Sequence, residues 1–84
     1  MLTREITIKN NPEQDARFLA EAVQLANRYA SSLHIASGTA SVNLKSIMGI
    51  MSLSLNNGET FTITADGADE QAAISDLAVF FEGH

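Results

Sequence analysis

The chain has 84 residues, a formal net charge of −5 at pH 7 and no cysteine. This length suits one small domain, and the lack of cysteine excludes disulfides, thiolate chemistry and cysteine-based zinc sites. The acidic balance argues against direct nucleic-acid binding, which requires cations that neutralise phosphates. No segment resembles a signal peptide or is long enough to span a membrane, so we expect a cytoplasmic protein that does not insert into membranes.

An alternating segment opens the chain. Between residues 2 and 9, Ile6 and Ile8 fall on one side, while Glu5 and Thr7 fall on the other. A period of two residues is typical of a half-buried strand, so a first strand is predicted here.

A helix is predicted next. The Asn-Pro-Glu-Gln run at residues 11–14 is typical of a helix start, which makes residues 12–15 helical. The alternative is that Asp15 caps a helix that starts at Ala16. Apolar residues at helical spacing extend this helix to about Tyr29; they are Leu19, Ala22, Val23, Ala26 and Ala30.

Two hairpin strands are predicted in the middle of the chain. Leu33 and Ile35 alternate with His34 in a strand that ends at Gly38. His34 is therefore expected to be exposed. The partner strand carries alternating apolar residues at Ala40, Val42 and Leu44.

The segment after this hairpin carries the clearest functional signal. Ser46 is placed to cap a short helix with its hydroxyl group, and a helix start also favours an anion. Ser46 is therefore a candidate phosphorylation site. On the helix that follows, Ile50 and Leu53 share one face, whereas Ile47 and Met51 share another, so one pair is expected to be exposed.

Further residues of this segment fit a docking surface. Met48 and Met51 carry adaptable side chains of a kind that suits partner surfaces. Gly49 costs helix stability, and its missing side chain would allow a partner to approach closely. Arg17 and Lys45 are expected to form a small positive spot able to hold a phosphate.

A last strand and a last helix are predicted near the end of the chain. Phe61, Ile63 and Ala65 alternate with threonines, which strongly favours a strand. A turn at residues 66–67 follows, and Asp69 is the predicted cap of a helix; its apolar stripe contains Ala73, Ile74, Leu77, Ala78 and Phe81. The order β-α-β-β-α-β-α predicts an α+β open-faced sandwich.

The run from Lys45 to Leu53, together with this element order, resembles the regulatory-serine segment of the HPr family. This family contains HPr, the phosphocarrier of the bacterial sugar phosphotransferase system, and its paralogue Crh. The resemblance covers essentially all 84 residues. It implies one HPr-like domain over residues 1–84, with a four-stranded antiparallel sheet covered on one face by three helices. It implies neither enzymatic activity nor a cofactor.

The phosphocarrier site of the family is degenerate in this chain. Ala16 and Arg17 match the family motif, but the histidine position holds Asp15 and the following proline is Phe18. Asp15 is either an acid or cap of the first helical turn, a fixed carboxylate that mimics a phosphohistidine beside Arg17, or an acceptor of an aspartyl phosphate. His34 is distant in sequence from this position, and the two histidines of the chain lack the spacing of a metal site.

The resemblance implies a regulatory function. An HPr kinase/phosphorylase would modify Ser46, and a CcpA-like transcriptional regulator would then bind; the partner-binding residues would be Arg17, Lys45, Ile47, Met48, Gly49 and Met51. One alternative is a phosphocarrier between enzyme I and enzyme II. Another is a diverged interaction module of the same fold. Either a monomer or a weak homodimer is compatible with the sequence.

Overall fold

The computed structural model describes residues 1–9, 16–53 and 58–83. These residues form four strands and three helices in the predicted order: β1 (Leu2–Thr7), α1 (Ala16–Ala26), β2 (Ser32–Ser37), β3 (Ala40–Asn43), α2 (Ile47–Met51), β4 (Thr60–Asp66) and α3 (Glu70–Glu82).

The four strands form one antiparallel sheet in the order β1-β4-β2-β3. Strand β4 occupies a central position because it pairs with both β1 and β2. In this register Ile6 lies opposite Phe61, and Ile63 lies opposite Ile35, which in turn lies opposite Val42. The α+β open-faced sandwich predicted from the sequence is therefore confirmed.

The core lies between one face of the sheet and the helices. Helix α3 packs on β1 and β4, α2 packs on β3, and α1 contacts both of the other helices. The alternating strand residues and the apolar helix stripes are buried together; they include Ile6, Leu33, Ile35, Phe61, Ile63, Ala65, Leu19, Ala22, Ala26, Ala73, Leu77 and Phe81. The opposite face of the sheet is polar, and His34 is exposed there as predicted.

Strand β1 is shorter than predicted. It ends at Thr7 rather than at residue 9. Ile8 is nevertheless buried, and its backbone still pairs with the chain before β4: its N–H donates to the Glu59 carbonyl at 3.0 Å, and its carbonyl accepts from the Gly58 N–H at 2.7 Å. The apolar alternation is therefore correct, although the sheet register ends two residues earlier.

Helix α1 ends at Ala26, so the prediction that it reaches Tyr29 is wrong. The hydrogen-bond pattern explains the earlier end. The Asn27 N–H still donates to the carbonyl four residues earlier, but the N–H groups of Arg28 and Tyr29 donate to carbonyls three residues earlier, Leu25 and Ala26. This tightening is common in a last helical turn. Ala30, which was placed on the apolar stripe, is exposed.

Asp69 lies at the predicted N-cap of α3 but makes no side-chain cap. Its carboxylate instead accepts hydrogen bonds from the N–H groups of Ala30 (2.8 Å) and Ser31 (3.0 Å), and from the Ser31 hydroxyl. At the start of α3, the Glu70 carboxylate reaches back and accepts a hydrogen bond from the Gly67 N–H at 3.1 Å. Asp69 therefore joins α3 to the segment after α1.

Some predictions fall on residues outside the described part of the chain. These are the helical start at residues 12–15 and the three alternatives for Asp15. The structure describes α1 from Ala16 onward.

Candidate functional site

Ser46 caps helix α2. Its backbone is extended, with φ −107° and ψ 118°, and its Oγ accepts a hydrogen bond from the Gly49 N–H at 3.2 Å. Its carbonyl accepts the Ile50 N–H at 3.0 Å, so the helical pattern begins directly after it. The side chain is half-buried. A serine is favoured here because its hydroxyl satisfies an N–H that has no partner within the helix.

Helix α2 has one anchored side and one exposed side. Ile50 is 0% exposed, whereas Ile47, Met48 and Met51 are 38%, 82% and 57% exposed. Leu53 is partly buried against the core. The prediction that one of the two pairs lies outside is thus confirmed. We call Ile47, Met48 and Met51 the α2 patch.

Gly49 lies between the cap and the α2 patch. A Cβ atom added at this position would be 3.4 Å from the Asn43 carbonyl oxygen and 3.5 Å from the Ser46 Oγ. These are ordinary contact distances, so lack of space inside the protein does not require glycine here.

Lys45 connects α2 to the end of α1. Its Nζ donates a hydrogen bond to the Tyr29 carbonyl at 2.7 Å. The Asn27 Nδ2 donates to the carbonyls of Val23 (2.8 Å) and Lys45 (3.2 Å). Lys45 therefore links the segment just after α1 to the start of α2.

The structure separates two cations that the sequence analysis grouped. Arg17 is exposed in the first turn of α1, and the Lys45 ammonium group bonds to a carbonyl just beyond its last turn. The helix from Arg17 to Ala26 rises about 14 Å. The two cations therefore flank α1 instead of forming one spot.

Phe18, which replaces the family proline, packs against the end of α3. Its ring stacks on that of Phe80, with centroids 4.9 Å apart, and meets the edge of Phe81 at 5.9 Å. Offset stacking and edge contacts of this kind stabilise aromatic clusters. The sequence analysis identifies Phe18 only as a departure from the family motif and does not predict this packing. The adjacent phenylalanines near the C-terminal end of α3 were the available signal for this cluster.

The described residues hold no group of three or more side chains that is suited to a metal ion. Across the same residues, the helices are too short or too polar for any of them to cross a bilayer.

Comparison with known proteins places the chain in a family. Residues 2–83 match the family model "PTS HPr component phosphorylation site". The chain is 40% identical over 82 residues to the HPr-like protein Crh of Halalkalibacterium halodurans, which covers 98% of each chain.

Solved structures agree with this match. The phosphocarrier protein HPr from Bacillus anthracis superimposes with a TM-score of 0.90 at 36% identity, covering 95% of each chain. Crh from Bacillus subtilis, a catabolite-repression protein whose crystal structure is a dimer with a swapping domain, gives a TM-score of 0.78 at 37% identity. That comparison covers 93% of this chain and 85% of the other. The chain therefore belongs to the HPr family of phosphocarrier and regulatory proteins, and it is not an enzyme.

Proposed function

We propose that this protein is a Crh-like regulator that an HPr kinase/phosphorylase modifies on Ser46. The observation that carries the proposal is the arrangement of α2, where the Ser46 hydroxyl caps a helix whose exposed side is the α2 patch. The similarity to Crh over almost the full chain supports the same function. So does Asp15, because an aspartate cannot replace the phosphohistidine of a carrier without a partner that phosphorylates carboxylates.

The geometry suits a phosphate on Ser46. The kinase would transfer the γ-phosphoryl group of ATP to Oγ, releasing ADP and a proton. A phosphoserine carries about −1.5 to −2 charge at pH 7 and three acceptor oxygens. One of these oxygens can accept the Gly49 N–H that Oγ accepts in the unmodified protein. The modification therefore adds charge beside the α2 patch while the helix keeps its cap.

The partner of the phosphorylated form would be a CcpA-like transcriptional regulator. The α2 patch offers it an apolar contact beside the phosphate. Gly49 has no side chain, and we propose that this lets the partner approach the backbone between them closely. Arg17, exposed at the other end of α1, would extend the interface with a group suited to bidentate carboxylate contacts. We further propose that residues 1–84 are one HPr-like domain acting in the cytoplasm, and that it can form Crh-like dimers.

A phosphocarrier is the second candidate, because the family includes phosphocarrier HPr proteins that superimpose closely on this chain. It would take a phosphoryl group from enzyme I and pass it to enzyme II. Asp15 would then have to serve as the acceptor in place of histidine. A diverged interaction module is left if neither phosphorylation occurs.

Phosphorylation of the purified protein tests the proposal. We expect incubation with ATP and an HPr kinase/phosphorylase to add one phosphate, which mass spectrometry locates at Ser46. Ser46→Ala should abolish the modification. Ser52→Ala is the matched control, because Ser52 is an exposed hydroxyl at the other end of α2 that donates to the Gly49 carbonyl at 2.6 Å. It should leave the modification unchanged.

Two results would favour one of the other functions. Label transferred from phosphoenolpyruvate through enzyme I to this protein would support the carrier function. Absence of phosphate in both assays would favour a diverged interaction module.

A further inference from the structure

The sulfur atoms of this protein are concentrated on α2. The chain contains three methionines and no cysteine, so its sulfur atoms are the thioethers of Met1, Met48 and Met51. Met48 and Met51 are 82% and 57% exposed and lie three residues apart on one side of the helix. An oxidant that reaches the protein therefore meets thioethers and no competing thiol.

We propose that Met48 and Met51 form a redox-sensitive modification site, at which a hydroperoxide converts the thioethers to sulfoxides and thereby weakens docking of the Ser46 kinase on the α2 patch. In each step the sulfur donates an electron pair to one peroxide oxygen. A sulfur–oxygen bond forms and the oxygen–oxygen bond breaks. The proton of the transferred oxygen passes to the second oxygen, which leaves as water or an alcohol. The sulfur is oxidised by two electrons and the peroxide is reduced by two.

The fold can accept this chemistry because neither thioether contributes to the core. Ile50 supplies the fully buried side chain of α2, and the buried cluster contains no methionine. Oxidation of a methionine in a core disrupts packing, but these two sulfoxides would face solvent. The reaction therefore changes the surface of α2 and leaves the structure in place. Thiol-dependent methionine sulfoxide reductases can reverse it.

The effect on docking follows from the composition of the α2 patch. Two of its three side chains gain a polar oxygen, and only Ile47 stays apolar. A partner that covers the patch would have to remove water from each sulfoxide without replacing its hydrogen bonds. This should weaken docking by about tenfold for each buried sulfoxide. The consequence for docking rests on the function proposed above, whereas the oxidation itself does not.

The test compares the full-length protein with Met48→Leu/Met51→Leu, before and after treatment with hydrogen peroxide. Leucine is close to methionine in volume and cannot be oxidised in this way. Met1 is retained in both proteins and serves as an internal control. Peptide mapping locates the added oxygens, circular dichroism follows the fold, and hydrophobic-interaction chromatography reports the apolar surface. The initial rate of Ser46 phosphorylation by an HPr kinase/phosphorylase reports docking, because a kinase that reaches the Ser46 Oγ must lie against the adjoining α2 patch. Each protein is compared with its own untreated sample.

We expect peroxide to oxidise Met48 and Met51 without loss of the circular-dichroism signal, to shorten retention of the wild-type protein, and to lower its phosphorylation rate at least tenfold at limiting substrate. The leucine variant should show neither change, and methionine sulfoxide reductases with dithiothreitol should restore the wild type. Unchanged retention, or loss of the fold, would overturn the proposal. An unchanged phosphorylation rate would overturn its docking part. If the untreated protein accepts no phosphate, the proposed function fails. Peptide mapping and the retention shift then decide whether Met48 and Met51 form an oxidation site.

Discussion

Substitutions on the two sides of α2 should have different effects, one on stability and the other on partner binding. Ile50 is 0% exposed and Met48 is 82% exposed, although only one residue lies between them. Ile50→Ala removes three buried carbon groups, worth about 0.8 kcal/mol each, and leaves a cavity that raises the cost to about 3–4 kcal/mol. Met48→Ala removes a side chain that faces water, so its cost should stay within about 0.5 kcal/mol.

Urea unfolding followed by circular dichroism measures this difference. A small domain has about 5–15 kcal/mol of stability, so the Ile50→Ala loss should shift the unfolding midpoint strongly at a nearly constant slope. Met48→Ala should keep the wild-type midpoint and yet weaken binding of the regulator to the phosphorylated protein. The reasoning about α2 would be refuted if Met48→Ala destabilised the protein by more than about 1 kcal/mol, or if Ile50→Ala left the midpoint unchanged.

Three further predictions concern contacts outside α2. Gly67→Ala should cost about 1–3 kcal/mol in urea unfolding, because the new Cβ would lie 2.6–2.9 Å from atoms of Ser31; Gly38→Ala, where no atom lies within 4 Å, should cost only about 1 kcal/mol for its positive φ. A loss for Gly38→Ala as large as for Gly67→Ala would contradict the steric argument. The Ser31 hydroxyl, aided by backbone N–H groups, holds the pKa of Asp69 below its ordinary value of 3.8. The stability that this carboxylate contributes is thus present above the unfolded-state pKa and lost as the pH falls through the lower folded-state pKa, and Asp69→Asn should flatten that part of the pH–stability curve. Phe18→Ala should lower stability by about 1–2 kcal/mol through the lost ring stacking on α3, and an unchanged thermal midpoint would show that this cluster is not needed.

The sequence by itself determined the order of the elements and the division of α2 into two faces. Strand alternation and helical spacing depend on neighbouring residues, and the turns after β2 and β4 carry glycines with positive φ, Gly38 and Gly67. Ser46 was recognisable as a cap because capping is a contact over three residues. Helical spacing divided the apolar residues of α2 into two pairs, and the burial of Ile50 in the folded protein decided which pair is exposed.

The tertiary structure alone decided contacts between residues that are distant in the chain. The sequence predicted Asp69 as a cap, but its carboxylate bonds to Ser31 and Ala30, which lie 38 and 39 residues away. Lys45 was expected to join Arg17, yet its ammonium group bonds to the Tyr29 carbonyl just beyond α1. Phe18 was noted only as the residue that replaces the family proline, yet its ring packs on Phe80 of α3. Local patterns extend over only a few residues, so they cannot predict contacts that packing makes between distant parts of the chain.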